Sequence, residues 1–211
     1  MIRLENITFI YAKKPILQNF SLQVSQGERL VITGVSGSGK TTLLRLIAGF
    51  EIPSAGNIYI AGNLVSKPGK IIIPPRLRKV NMVFQEPALW PHMRVGENIT
   101  FGVRMQGVPE ALRVQKMHRL LFMTGLKGYE KRDVETLSGG EKQRVALCRA
   151  LATEPEILLM DEPLSSLDPE RNRTLRKMIL DLHAQFHFTL IYVTHNEEEA
   201  REIGERVVRL R

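Results

Sequence analysis

Apolar and polar residues interleave along 2–9 (Ile2, Leu4, Ile7, Phe9) and 17–24 (Leu17, Phe20, Leu22, Val24). That pattern predicts two half-buried antiparallel strands. Gln26-Gly27 supplies a turn, and Leu30-Val31-Ile32 is a short continuous apolar run that reads as a buried strand. Leu43, Leu44, Ile47 and Ala48 then share one helical face, with Gly49 placed to end the helix. Further strands are predicted at 57–60 and 80–84. Across 86–152 the pattern becomes mostly helical: Met117, Leu120, Leu121 and Thr124 recur at i, i+3, i+4 and i+7, and Gly125 stops them. Ile157-Leu158-Leu159-Met160 restores the strand signal, and a helix with the core stripe Leu175, Met178, Ile179, Leu182 and Phe186 follows. Leu190–Val193 and Val207–Leu210 are the last strands, with a short helix closed by Gly204 between them. Strands alternating with helices predict an α/β fold with a largely parallel sheet covered on both faces. Residues 1–85 and 153–211 form its core, with an antiparallel part near the N-terminus, and 86–152 form an inserted helical lobe.

Composition changes this picture little. With 211 residues, 43% hydrophobic and 25% charged, the chain is typical of a soluble globular domain. The first six residues lack the apolar stretch of a signal peptide, and no run approaches the ~18 apolar residues of a membrane span. Cys148 is the only cysteine, so a cytosolic location is the default expectation. Its neighbours Val145 and Leu151 lie at core spacing, which reads as an inert core thiol. The net charge of +8 is uneven: residues 1–80 hold 11 Lys/Arg against 3 Asp/Glu, and the remainder hold 19 against 19. A nucleotide, an acidic membrane surface and nucleic acid all fit that excess, as does plain solubility.

The decisive chemistry begins at Gly34-Val35-Ser36-Gly37-Ser38-Gly39-Lys40-Thr41, which fits G-x-x-x-x-G-K-[ST] between a predicted strand and a predicted helix. Glycines let successive N–H groups converge on one anion, and the helix adds its positive N-terminal end. Lys40 is expected to reach the β- and γ-phosphates of ATP and the Thr41 hydroxyl to ligate Mg²⁺. A chance match in a chain of this length is on the order of one in a hundred. Asp161-Glu162 ends the run 157–160, and in an open parallel sheet strand ends deliver side chains to the ligand. Asp161 suits Mg²⁺, which prefers hard oxygens, and Glu162 suits a base for the attacking water.

Leu137-Ser138-Gly139-Gly140-Glu141-Lys142-Gln143-Arg144 resembles the signature motif of the ATP-binding cassette (ABC) ATPases. With it, Tyr11 resembles the residue on which adenine stacks, Gln85 the Q-loop glutamine, Leu164–Asp168 the D-loop, and His195 the switch histidine. Six motifs in the family's order cover essentially the whole chain. The resemblance implies a P-loop NTPase core with an antiparallel β subdomain and a helical subdomain. It also implies a nucleotide site at Tyr11, the loop Gly34–Thr41, Thr42 and Gln85. Mg²⁺ ligands would be Thr41, Gln85 and Asp161, and the catalytic groups Lys40, Glu162 and His195. Two copies would pack head to tail, so that Ser138, Gly139, Gly140 and Glu141 of one meet the ATP of the other and Asp168 lies at the dimer contact. Bland readings stand beside several of these. Asn196 followed by Glu197–Glu199 is a helix N-cap with an acidic first turn, and Asp168-Pro169 is a good N-cap and N1 pair.

Gln85–Ile99, with Ala88, Leu89, Trp90 and Pro91 placing apolar groups on a loop, resembles the segment by which importer cassettes receive a membrane partner. The expectation is therefore an importer subunit, peripheral on the cytoplasmic side of the inner membrane. It would dock on integral permease subunits near 85–100 and serve an extracytoplasmic solute-binding protein indirectly. The alternatives are a cassette of an exporter or lipid-extraction complex, and a non-transport cassette acting on nucleic acid. The last is disfavoured because 211 residues leave no room for tandem cassettes or long coiled-coil insertions. The chain runs out soon after Val207–Leu210, so the extra C-terminal regulatory domain of some importer cassettes is not expected.

Overall fold

A computed structural model describes residues 1–210. They fall into two compact units, the first holding Met1–Met82, Glu156–Glu162 and the chain from His187 onward, the second Val83–Pro155 and Pro163–Phe186.

The first unit begins with β1 (Ile2–Tyr11) and β2 (Lys14–Val24), an antiparallel pair in which Ile2 faces Val24 and Tyr11 faces Lys14. Ala12 and Lys13 join them with φ of 47° and 65°. Two positive φ values are what a two-residue hairpin loop needs to match the twist of its strands. β4 (Ala55–Ile60), β5 (Asn63–Lys67) and β6 (Lys70–Ile71) complete an antiparallel sheet in the order β2-β1-β4-β5-β6. The periodicity missed β5 and β6, short segments held by pairing, β5 to β4 and β6 to β5, rather than by a stripe of their own.

The second sheet contains β3 (Arg29–Gly34), β7 (Val80–Val83), β8 (Ile157–Asp161), β9 (Thr189–Val193) and β10 (Arg206–Leu210), in the order β10-β3-β9-β8-β7. Pairings β10 to β3, β3 to β9 and β9 to β8 are parallel. Every residue of β8 and β9 is buried, as strands covered on both faces require. Helix α1 (Lys40–Ala48) packs its Leu43, Leu44, Leu46 and Ile47 into one apolar core shared with the antiparallel sheet and one face of the parallel sheet.

Within the second unit α2 (Val95–Met105), α3 (Glu110–Met123) and α4 (Gly139–Ala152) pack on one another. A Cβ at Gly96 would come within 2.8 Å of Met117 Sδ and 3.0 Å of Glu130 O, so α2 packs closely on α3 and on the chain at Glu130. Met117, Leu120, Leu121 and Thr124 are buried as the spacing predicts. Cys148 is buried too, its Sγ 3.2 Å from Thr124 Oγ1, and burial pushes its thiol up to about 12. Helix α5 (Pro169–Phe186) buries Leu175, Ile179 and Leu182, but Met178 and Phe186 are only half-buried. Arg176 and His183 take buried places that the apolar stripe left unassigned. The short helix α6 (Glu197–Ile203) belongs to the first unit and packs on β3.

Candidate functional site

Residues 34–41 join the end of β3 to the start of α1. Gly39 sits at φ 92°, the left-handed region, immediately before Lys40. That conformation favours glycine, and a Cβ there would also crowd Ile16 Cγ2 at 3.0 Å and Leu17 Cδ2 at 3.1 Å. Val35, Ser36 and Gly37 are exposed at the loop crest, whereas Ser38, Gly39 and Lys40 are buried and Thr42 is half-buried. Lys40 folds back over the loop. Its Nζ donates to Gly34 O at 2.9 Å and Val35 O at 3.0 Å, with Glu162 Oε1 at 3.9 Å.

β8 delivers the carboxylates. Asp161, its last residue, pairs in register with Val193 of β9, and Thr41 Oγ1 donates to Asp161 Oδ1 at 3.1 Å. Burial raises the Asp161 carboxyl above its ordinary range, the Thr41 hydrogen bond opposes this, and the neighbouring charge of Glu162 adds to it. Glu162 takes φ 44°, unusual for a non-glycine residue, and its N–H donates to Val193 O at 3.0 Å. That bend turns its side chain toward His195, whose Nδ1 lies 2.9 Å from Glu162 Oε2. Thr41 and Asp161 are thus linked side chain to side chain, and so are Lys40, Glu162 and His195, with the two sets joined by the backbone between Asp161 and Glu162. A hydroxyl beside a carboxylate is a hard-oxygen donor set that fits Mg²⁺. Asn196 caps α6 as its residue type predicts, Oδ1 accepting from the N–H groups of Glu198 at 2.8 Å and Glu199 at 3.3 Å.

Tyr11 closes β1 at the hairpin tip and is 69% exposed. Gln85, Ser138–Glu141 and Asp168 belong to the second unit. Gln85 is exposed in the segment after β7. Ser138 is the N-cap of α4 in a reciprocal capping box: its Oγ accepts from the Glu141 N–H, and Glu141 Oε2 accepts from the Ser138 N–H at 2.8 Å. Glu141 Oε1 accepts from Tyr129 Oη at 2.9 Å, and these bonds hold its carboxyl below the usual range. Both Glu141 oxygens are therefore engaged within the unit, while Ser138 and Gly139 are exposed. Asp168 Oδ1 accepts from the Arg171 N–H at 3.0 Å, the N-cap geometry read from Asp168-Pro169.

The loop 87–91 differs from expectation. Leu89 and Trp90 are half-buried rather than fully exposed, with the Trp90 ring 4.8 Å from Phe101 and the Arg149 guanidinium 4.9 Å from Trp90. Arg149 also donates to Ala88 O and Pro87 O, and the fully buried Asn98 exchanges hydrogen bonds with the Trp90 backbone in both directions. Neither Asn98 nor Arg149 had a sequence signal beyond helical position. Each satisfies backbone groups of a loop that repeats no pattern.

A family model described as "ABC transporter" matches residues 17–165. A spermidine/putrescine import ATP-binding protein of Acetivibrio thermocellus is 44% identical over 208 residues, covering 99% of this chain and 58% of its own length. An Fe(3+) ions import ATP-binding protein of Escherichia coli is 42% identical over 207 residues, covering 98% and 58%. The chain thus spans about half the length of the curated relatives it matches. Among solved structures, the dimeric post-hydrolysis state of the ATP-binding cassette MJ0796 with ADP and Pi superposes at a TM-score of 0.88 with 30% identity. That match covers 100% of this chain and 94% of the other.

Proposed function

This chain belongs to the ABC transporter family, and on that premise we propose that it binds and hydrolyses ATP to drive import of a solute through membrane permease subunits. One observation carries the reading above all: at the glycine loop Thr41 bonds Asp161 at 3.1 Å, and the next residue, Glu162, has Lys40 at 3.9 Å from one oxygen and His195 at 2.9 Å from the other. The loop amides and α1 N-terminus receive the phosphates, and Lys40 exchanges two carbonyl partners for phosphate oxygens. Thr41 and Asp161 would hold a magnesium ion, which would neutralise charge on the β- and γ-phosphates. Glu162 accepts a proton from the attacking water as the oxygen–phosphorus bond forms, and the β–γ bridge oxygen leaves with ADP. His195, bonded through Nδ1, keeps Glu162 aimed. Tyr11 stacks the adenine.

A second copy would close the site with Ser138, Gly139 and Gly140 opening α4, whose N-terminal amides suit the γ-phosphate. Glu141 serves there by fixing Ser138 rather than by touching nucleotide. Asp168 caps α5 and borders that contact. Support for an importer comes from relatives named as import proteins, and from the pinned loop 87–94 as a firm seat for a permease helix. Operation at the cytoplasmic face, with a solute-binding protein acting indirectly, follows from the same reading. The cargoes in those names, a trivalent metal ion and organic polyamines, share positive charge but are recognised by different chemistry, metal coordination against hydrogen bonding, so cassette similarity does not select the solute.

The test is phosphate release from ATP by purified protein, alone and with its co-purifying permease, in magnesium and in EDTA. Magnesium-dependent release that vanishes in Lys40→Ala is expected. No release in either setting would overturn the assignment.

A further inference from the structure

The segment that presents His195 rests on a buried carboxylate outside the reacting groups. Glu199, in the first turn of α6, is 3% exposed. Its Oε2 accepts from Tyr192 Oη and from Thr194 Oγ1, both at 2.8 Å. Because the Thr194 hydroxyl spends its proton on Glu199, its lone pair is free to accept from the Asn196 N–H at 3.0 Å. The Thr194 N–H donates to Ile32 O at 3.2 Å. Both neighbours of His195 are therefore fixed, one to β3 and Glu199, the other to the Thr194 hydroxyl, while the His195 side chain projects 65% exposed onto Glu162.

Helix stability does not require this carboxylate, since Asn196 already serves the first-turn amides. Burying a carboxylate is costly unless its hydrogen bonds compensate, and an apolar residue would pack there without that penalty. What an apolar residue could not do is orient the Thr194 hydroxyl.

We propose that Glu199 is a positioning residue for hydrolysis, holding His195 Nδ1 against Glu162 through Thr194. The inference rests on the ATPase reading. Glu199→Gln and Thr194→Val should each lower kcat on the order of tenfold, with KM for ATP changed less than about twofold. Thr194→Ser should recover most of the Thr194→Val loss, and failure to do so would count against the hydroxyl's part. In a His195→Ala background, Glu199→Gln should cause no further loss; a second full loss would mean that Glu199 acts independently of His195 and would overturn the proposal. A readout free of activity is the His195 imidazole nitrogen spectrum of ¹⁵N-labelled protein. It should move in Glu199→Gln in the same direction as in Glu162→Ala. An unmoved spectrum overturns the positioning role. A wild-type chain that splits no ATP overturns the functional reading instead, leaving the spectrum to decide this one.

Discussion

Asp161 carries the cost of a buried carboxylate. Burial raises its carboxyl pKa above the unfolded value, so the folded state binds the proton more tightly than the unfolded chain does. Stability therefore falls as pH rises from the ordinary carboxylate range through the raised folded value, and the full cost persists at neutral pH. Asp161→Asn, which keeps the size of the side chain but removes the charge, should accordingly raise the melting temperature at pH 7. The gain should disappear in scans below the ordinary carboxylate range, where wild-type Asp161 is protonated in both states. Equal melting at pH 7 would show that the Thr41 hydrogen bond already offsets the burial. This residue's type and position at a strand end were legible from sequence. Its burial was not, because that depends on Val193 in register beside it.

Helices here are secured at their ends by contacts of different visibility. For α4 the capping box is local, so Ser138-x-x-Glu141 announces itself in sequence. Glu141 has its carboxyl held low by the bonds from Ser138 and Tyr129. Its contribution is present above the unfolded carboxylate value and is lost as pH falls through the lowered folded value. Glu141→Ala should cost about 1 kcal/mol at pH 7, and the gap to wild type should narrow on acidification in urea titrations. For α1 the C-terminal partner is remote. Arg78, 3% exposed, donates to Leu46 O, Ile47 O, Val65 O, Ile73 O and Ser66 Oγ at 2.7–3.3 Å, and burial lowers its guanidinium to about 10. It remains charged at neutral pH beside the negative end of the helix. In sequence it is one more basic residue near Pro74-Pro75. Arg78→Met should destabilise by about 3 kcal/mol, since five acceptors lose their donor. An unchanged denaturation midpoint would refute that account.

For the whole molecule the prediction concerns assembly. Glu162→Gln, which keeps the fold but removes the proton acceptor, should form an ATP-bound dimer at micromolar concentration by size-exclusion chromatography with light scattering. Adding Ser138→Arg should abolish it by filling the α4 N-terminus with positive charge. A monomer throughout would remove the two-copy site. Much of the architecture was readable in advance: the apolar runs of β3, β8 and β9, the glycine loop and the amphipathic face of α1 are local patterns, and strand and helix periods are properties of neighbouring residues. The chain's own order of residue types thus dictated most of the elements, the loop and the identity of its chemical groups, but not β5 and β6, which pairing defines. Tertiary structure alone decided that Thr41 meets Asp161, that Glu162 bends onto His195, that Arg149 and Asn98 pin the loop at Trp90, and that Glu199 lies buried beneath Thr194. Those pairings cross 5 to 120 positions and depend on sheet order and burial. A hydrogen bond or desolvated charge is set by which strands become neighbours, which no local period encodes.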